Sequence, residues 1–261
     1  MLAPAQFNIL MSRYNSDAQD YFDAITDTGV TLTNAQLVAF NNFTLQCKSS
    51  GIWDKFTALY PFIGGTAAAH AINAKSPGTI YLTFYGTVYH TDLGMRGDGS
   101  TGIAKFSPGY GSANKYSYGL YCDKVPTAHN QALMGRYRSN YSAYISRYYS
   151  SLQFRHGISV PSINADSADP GFLLCNRESA SLLNGYINGV PVCEDTTENT
   201  YFPEYPIALD GMDKGGASAN LFDANIAFAY LMVDDSLSGS QVQSFTSAVQ
   251  LLEVSLGRDF T

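Results

Sequence analysis

Residues 115–121 carry the sequence Lys-Tyr-Ser-Tyr-Gly-Leu-Tyr, in which large apolar side chains alternate with small ones. Successive side chains of a β-strand point to opposite faces, so this two-residue period predicts a strand. The same period recurs in residues 79–85 and 141–149. The chain is also rich in tyrosine (19 residues) and phenylalanine (15 residues), whose flat rings fit a pleated surface. These stretches therefore predict sheet structure in the middle of the chain.

Turn signals separate the alternating stretches. Asn188-Gly189 supplies the two positive-φ residues of a type I′ turn, which predicts a β-hairpin. Pro191 stands two residues after Gly189 and favours an edge strand or a strand end. Residues 207–209 and 224–233 complete the predicted strands. Many short strands, frequent Gly and Pro, and no alternation of strands with helices predict a mainly β protein. The expected fold is an antiparallel β-sandwich of the jelly-roll type.

Helix-start patterns occur at both ends of the chain. Three capping boxes pair Ser16 with Gln19, Thr33 with Gln36, and Ser238 with Gln241. An apolar stripe follows each box, and the predicted helices end at Gly29, Gly51 and Gly257. We therefore predict an N-terminal helical segment (residues 1–52) and a sandwich domain (residues 53–261) that includes a C-terminal helix at 238–256. The N-terminal segment is expected either to pack on the sandwich or to dock elsewhere.

Composition limits the classes of function. The 261-residue chain has a net charge of −7 with 14% charged residues, and its 15 basic residues are mostly scattered. Nucleic-acid binding requires clustered Lys and Arg, so we expect no nucleic-acid partner. No membrane span or signal peptide is recognisable, so we expect synthesis in a cytoplasm. Four widely spaced cysteines without a C-x-x-C pair predict reduced, mostly buried thiols and no zinc site.

One block of sequence resembles a known family. Residues 53–67 read Trp-Asp-Lys-Phe-Thr-Ala-Leu-Tyr-Pro-Phe-Ile-Gly-Gly-Thr-Ala, with His70 and Asn73 shortly after. Arg177 and the ending Leu256-Gly257-Arg258 follow in the same order. The pattern, from about residue 16 to 258, is similar to a family of bacteriophage virion structural proteins. In that family a helical segment precedes a concanavalin-A-like (laminin-G-like) jelly roll. The resemblance implies a virion location and other virion proteins as partners, and it implies no catalytic residue.

Candidate catalytic groups are sparse. Glycosidases need two carboxylates about 5–9.5 Å apart, and no alternating Glu-x-Asp-x-Glu tract is present. Glu194, Asp195 and Glu198 lie in a Thr-rich stretch that we interpret as a solvated loop. The four histidines do not pair at ligand spacing along the chain, and His70 is interpreted as a hydrogen-bonded structural residue. We therefore predict no catalytic residue.

Calcium is the one cofactor that the sequence leaves open. Sandwiches of this type bind Ca²⁺ through Asp and Asn oxygens on loops. Five aspartates lie in turn-like segments: Asp92, Asp98, Asp210, Asp213 and Asp223. No motif unites them, and ordinary turn formation through side-chain hydrogen bonds accounts for their placement better. The prediction is therefore no metal ligand and no cofactor.

A tyrosine-rich tract is the candidate binding region. A tyrosine offers an apolar ring to a sugar or protein partner and a hydroxyl for orientation. The predicted ligand-binding residues, for glycan or partner, are Tyr116, Tyr118, Tyr144, Arg136 and Arg138. Two other interpretations stay open, namely that these rings fill the sandwich core or that they form an assembly interface.

These features give three hypotheses. The first is a non-enzymatic phage virion structural protein on the surface of the capsid or of the tail and its fibres. This hypothesis includes a homo-oligomer among the expected partners. The second is a module that binds carbohydrate on the host surface. The third is a glycan-degrading enzyme, which lacks its carboxylate motif.

Overall fold

The computed structural model describes residues 14–109, 114–138, 141–157, 160–164, 168–198 and 207–260. Two β-sheets hold most of the regular secondary structure in this part of the chain, and four α-helices accompany them. Neighbouring strands run antiparallel, apart from one parallel bridge between Asp213 and Arg136. The predicted mainly β, antiparallel sandwich with helices at both ends is confirmed.

The first sheet, sheet I, has eight strands. In spatial order they are β13 (Val190–Asp195), β12 (Leu182–Ile187), β11 (Gly171–Ser179), β6 (Tyr116–Cys122), β17 (Asn225–Val233), β4 (Gly94–Gly97) and β3 (Val88–Thr91), with β1 (Ala58–Tyr60) beside β17. Asn188 and Gly189 have φ angles of 50° and 79° in the turn that joins β12 to β13. The hairpin is therefore confirmed, and Pro191 lies on an edge strand as predicted.

The second sheet, sheet II, has nine strands. They are β10 (Ser162–Asn164), β9 (Ser151–Gly157), β8 (Tyr141–Tyr148), β7 (Gln131–Arg138), β14 (Ile207–Leu209), β5 (Ile103–Phe106) and β2 (Thr83–Tyr85), with β15 (Met212–Lys214) beside β7 and β16 (Ala217–Ala219) beside β15. Of the predicted strand at 79–85, only its last three residues pair in the sheet.

The core lies between the two sheets, as the two-residue period predicts. Sheet I contributes Leu120, Leu173 and Leu231, and sheet II contributes Leu133, Ile145 and Phe154. All six side chains are fully buried. The inner faces of both sheets are therefore occupied by packing and are closed to a ligand.

Three helices cover the outer face of sheet I: α1 (Ser16–Asp27), α2 (Asn34–Ser49) and α4 (Gly239–Ser255). A fourth, α3 (Ala67–His70), is a single turn. Phe245 of α4 lies 4.8 Å from Tyr230 and 5.3 Å from Phe172, measured between ring centroids. Phe43 of α2 lies 5.5 Å from Phe228. Of the two expectations for the N-terminal segment, packing on the sandwich is the one observed. The predicted domain boundary at residue 52 stays a prediction.

Local capping chemistry was predicted correctly at two of three helix starts. Complete capping boxes begin α2 (Thr33 and Gln36) and α4 (Ser238 and Gln241). The box predicted at Ser16 is wrong, because α1 begins one residue earlier and Asn15 accepts the backbone N–H of Asp17. In the described part of the chain, no helix combines the length and apolar character needed to cross a bilayer.

Arg258 ties the end of the chain to the block at residues 53–67. Its guanidinium donates to the carbonyl oxygens of Phe62 and Pro61, each at 3.0 Å. It also forms a buried ion pair with Glu253, with Nε 2.7 Å from Oε2. The block at residues 53–67 and the ending Leu256-Gly257-Arg258 therefore meet in one buried structural contact.

Candidate functional site

A cavity of about 400 Å³ opens on the outer face of sheet II, which no helix of the described residues covers. Binding sites for small ligands usually measure about 300–1,000 Å³ and combine apolar walls with a few polar groups. Strands β7, β8, β9 and β15 and the residues next to them supply the lining: Asn130, Tyr137, Tyr144, Ser146, Arg147, Tyr148, Gln153, Arg155, Val160, Met212, Lys214 and Asn220.

The strand period of β8 and β9 explains this lining. In β8, Ala143 and Ile145 point into the core, so Tyr144 between them points outward. In β9, Leu152 and Phe154 point inward, which turns Gln153 and Arg155 to the cavity. Tyr144 pairs directly with Arg155, and Ser146 pairs with Gln153. Cross-strand pairing thus places an aromatic ring beside an amide and a guanidinium.

Tyr144 occupies the base of the cavity, with a 7% exposed side chain. Its hydroxyl accepts a hydrogen bond from Nη1 of Arg155 at 3.1 Å and donates one to Oε1 of Gln153 at 3.1 Å. Burial raises the pKa of Tyr144, against the opposing effect of Arg155, so the hydroxyl stays neutral. Opposite Tyr144 lies Gly135, whose missing side chain leaves space for the Cβ and backbone of Tyr144. The ring is therefore held in one orientation.

The rim of the cavity is more exposed than its base. Met212 is 2% exposed and packs with Tyr144, whereas Tyr148 is 48% exposed. Lys214 is exposed, with its Nζ 5.1 Å from the ring centroid of Tyr137. A ligand would therefore meet an aromatic and apolar base with amide and cationic groups around it.

The lining carries positive charge. Arg147, Arg155 and Lys214 contribute cationic groups, and no aspartate or glutamate occurs among the described lining residues. The guanidinium of Arg147 also donates to the carbonyl oxygens of Tyr149 and Pro126. The cavity is therefore locally cationic in a chain whose net charge is −7.

The structure separates the residues predicted to bind. Tyr144 lines the cavity, but Tyr116 and Tyr118 lie in the core at 1% exposure each, so a ligand at the surface cannot reach them. The prediction that Tyr116 and Tyr118 contact a ligand is therefore corrected, because helices cover one face of β6 and sheet II covers the other. The hydroxyl of Tyr118 crosses the sandwich to donate to the carbonyl oxygens of Tyr144 and Arg155. Tyr118 therefore supports the cavity strands from beneath.

The predicted arginines do not form the site either. Arg136 points inward and is 1% exposed, and burial lowers the pKa of its guanidinium to about 10. It therefore cannot contact a ligand at the surface as predicted. The side chain of Arg138 lies outside the described residues.

Sequence reasoning missed several lining residues that the fold brings together: Tyr137, Gln153, Arg155, Met212 and Lys214. Alternation within residues 151–157 was an available signal for Gln153 and Arg155. No comparable signal existed for Met212 and Lys214, because β15 reaches the cavity through a non-local contact with β7.

Several of the candidate calcium ligands are engaged by protein groups. Asp98 accepts the backbone N–H groups of its own turn, which hold the pKa of its carboxyl well below the usual range. Asp213 pairs with Lys105 at 2.7 Å, and Asp223 pairs with Lys124 at 2.9 Å. Within the described ranges, no group of three His, Cys, Asp or Glu side chains could hold a metal ion.

Two other acidic positions have structural partners. Asp210 is buried, and its Oδ2 accepts the N–H of Gly97 at 2.6 Å. Burial raises the pKa of Asp210 well above the usual range, despite that hydrogen bond. Burial would also raise the pKa of Asp195, but hydrogen bonds from Thr197 and from the amide of Val160 outweigh it and lower the pKa.

His70 and His90 come together although they lie far apart in the sequence. Their Nδ1 atoms are 3.0 Å apart, so one ring donates to the other. His70 is 1% exposed, and burial, with His90 nearby, lowers its pKa to about 3. The interpretation of His70 as a hydrogen-bonded structural residue agrees with this contact.

The fold is similar to β-sandwich domains of known structure. It matches domain 4 of the extracellular arabinanase AbnA of Geobacillus stearothermophilus, solved in complex with arabinotriose. This match has 15% identity and a TM-score of 0.50 and covers 74% of this chain and 98% of that domain. No protein-family model matches the sequence, and no curated protein is significantly similar to it.

Two botulinum neurotoxin structures match equally well. One is from a study of the ganglioside-dependent cell entry of neurotoxin type C, with 14% identity, a TM-score of 0.54 and 77% of this chain covered. The other is the binding domain of neurotoxin DC in complex with rat synaptotagmin II, with 14% identity, a TM-score of 0.53 and 76% covered. The matches span 53% of each toxin chain. At these identities, the similarity establishes the fold alone.

Proposed function

We propose that this chain is a carbohydrate-binding protein and that its ligand occupies the cavity on sheet II. The observation that carries the proposal is the fixed Tyr144 ring at the base of a cavity surrounded by amide, hydroxyl and cationic side chains. A sugar has the matching chemistry, because its C–H face packs on an aromatic ring while its hydroxyl groups need donors and acceptors.

The similar structures support this proposal. The arabinanase domain was solved with arabinotriose, and the type C neurotoxin depends on two ganglioside molecules for cell entry. The cationic lining favours a sugar that carries an acidic group, since complementary charge steers and orients a ligand. Both neutral and acidic glycans should therefore be screened.

We further propose that the cavity binds without turnover. The described lining residues include no carboxylate, and glycosidases ordinarily use a pair of them. Incubation with each bound oligosaccharide, followed by chromatography, should recover it uncleaved. Release of shorter products that persists in a highly purified preparation would contradict this part of the proposal.

A glycan array followed by titration calorimetry tests the binding site. Tyr144→Ala should weaken binding about tenfold or more, because it removes the aromatic base. Gln153→Ala, at a half-exposed position, provides a second test that does not disturb buried packing. Tyr81→Ala is the matched control, since Tyr81 is 51% exposed and does not line the cavity. Unchanged affinity in both cavity variants would refute the proposed site.

A second proposal concerns where the chain acts. The sequence resembles phage virion structural proteins, and we propose a location on the particle surface. The block at residues 53–67 and the ending Leu256-Gly257-Arg258 carry this resemblance, and hydrogen bonds from Arg258 to Pro61 and Phe62 join them. Gold-labelled antibody on intact particles tests the location. Label on the capsid would favour decoration, label on the tail would favour receptor recognition, and unlabelled particles would refute the proposal.

A further inference from the structure

Three aromatic side chains form an exposed cluster beside the cavity, which we call the aromatic tip: His129, Tyr148 and Tyr149. Tyr148 and Tyr149 are 48% and 65% exposed. The ring centroid of His129 lies 4.2 Å from the ring centroid of Tyr149 and 5.0 Å from that of Tyr148. The two tyrosine rings are 4.7 Å apart at an angle of 81°. The tip thus presents two ring faces at right angles on the surface.

The backbone holds Tyr149 in a conformation that is unfavourable for a residue of its type. Its φ angle is 53°, in the left-handed region that bulky residues rarely adopt. Two hydrogen bonds maintain it. The N–H of Tyr149 donates to Nδ1 of His129 at 2.8 Å, and Nε of Arg147 donates to the carbonyl oxygen of Tyr149 at 2.9 Å. Strain of this kind concentrates at functional sites, and here it fixes the backbone that carries an exposed ring.

The aromatic tip is continuous with the cavity. Tyr148 belongs to both the cavity lining and the aromatic tip. Arg147 also lines the cavity, and it donates a hydrogen bond to the carbonyl oxygen of Tyr149 in the tip. Asn130 also lines the cavity, and its N–H donates to the carbonyl oxygen of Arg147 at 3.1 Å. A ligand that extends out of the cavity past Tyr148 would therefore meet the ring of Tyr149 next.

We propose that the aromatic tip is a second sugar subsite, so that the preferred ligand is an oligosaccharide and not a monosaccharide. One sugar residue lies in the cavity against Tyr144, and a later residue of the same sugar chain packs on Tyr149, because five residues along and past β8 separate the two positions by roughly 16 Å. This inference rests on the proposed carbohydrate-binding function. A sugar chain fits both surfaces, because each offers an aromatic face with polar groups beside it. The fixed backbone of Tyr149 and its ring contacts with His129 and Tyr148 lower the cost of ordering this ring on binding.

Titration calorimetry with a series of increasing chain length, chosen from the array, tests the inference. The wild type should bind the longer chains of the series about tenfold more tightly than the monosaccharide. Tyr149→Asn should abolish most of this difference, and Tyr149→Phe should keep it. Asparagine tolerates the left-handed backbone, so the loss would report the missing ring and not a distorted turn. Tyr144→Ala should weaken binding of every chain length.

The outcomes separate the two proposals. If affinity does not depend on chain length, or if Tyr149→Asn keeps the dependence, the second subsite is refuted while the cavity site stands. If the wild type binds no member of the array, the proposed function falls and the second subsite falls with it. Tyr81→Ala should behave as wild type at every length, because it lies outside both surfaces.

Discussion

Gly135 of β7 lies opposite Tyr144 of β8, and its replacement by alanine tests whether the cavity depends on this missing side chain. A Cβ atom added at Gly135 would lie 2.4 Å from Cβ of Tyr144 and 2.8 Å from its Cα. It would also lie 2.7 Å from the carbonyl oxygen of Ala143. Because backbone atoms of β8 are involved, a rotamer change cannot relieve the overlap. The strand itself must move.

We expect Gly135→Ala to lower the free energy of unfolding by about 1–3 kcal/mol, as overpacking usually does. Urea denaturation measures this loss. The displaced Tyr144 should also weaken glycan binding about tenfold, which corresponds to about 1.4 kcal/mol. Gly239→Ala is the control, because no atom lies within 4 Å of its added Cβ and its helical position favours alanine. A Gly135→Ala protein with wild-type stability and wild-type affinity would refute this account of the cavity.

Three further substitutions test other parts of the fold. Arg258→Ala should lower the free energy of unfolding by about 3–5 kcal/mol, because it leaves Glu253 buried without its ionic partner; a urea midpoint equal to that of the wild type would argue against this. Phe245→Ala should cost about 3–5 kcal/mol, because it removes the ring that joins α4 to sheet I. Thermal unfolding of this variant should still show one transition by calorimetry. A loss of the helical circular dichroism signal below the temperature of that transition would contradict the packing of the helices as part of the sandwich. Asp210→Asn should gain stability relative to the wild type as the pH rises. Burial raises the pKa of Asp210, so its contribution is complete below the unfolded-state pKa and is lost as the pH rises through the folded-state pKa. A difference in Tm between wild type and Asp210→Asn that stays constant from acidic to alkaline pH would show that Asp210 does not titrate in this way.

The features that were predicted correctly depend on short-range chemistry. The capping boxes at Thr33 and Ser238 and the hairpin at Asn188-Gly189 each involve residues within a few positions of one another. The start of α1 was wrong by one residue, because Asn15 and Ser16 are both good N-caps and the sequence alone does not choose between them.

The binding residues were harder to predict, because a two-residue period shows which side chains share a face but not what covers that face. Tyr116 and Tyr118 alternate as a half-exposed strand would, yet all seven residues of β6 are buried. Helices cover one side of β6 and sheet II covers the other, and both coverings are non-local. Tyr144 has the same local pattern, but it lies on the outer face of sheet II, which the helices of the described residues leave uncovered. Only the fold distinguishes these positions.

The central claim is that a glycan binds against Tyr144 on the outer face of sheet II. A crystal structure of the chain with the tightest-binding oligosaccharide from the array tests it most directly. The account predicts density for a sugar ring in the cavity, in contact with Tyr144 and within hydrogen-bonding distance of Gln153 or Arg155. Density for the sugar at another surface, with the cavity empty, would contradict it.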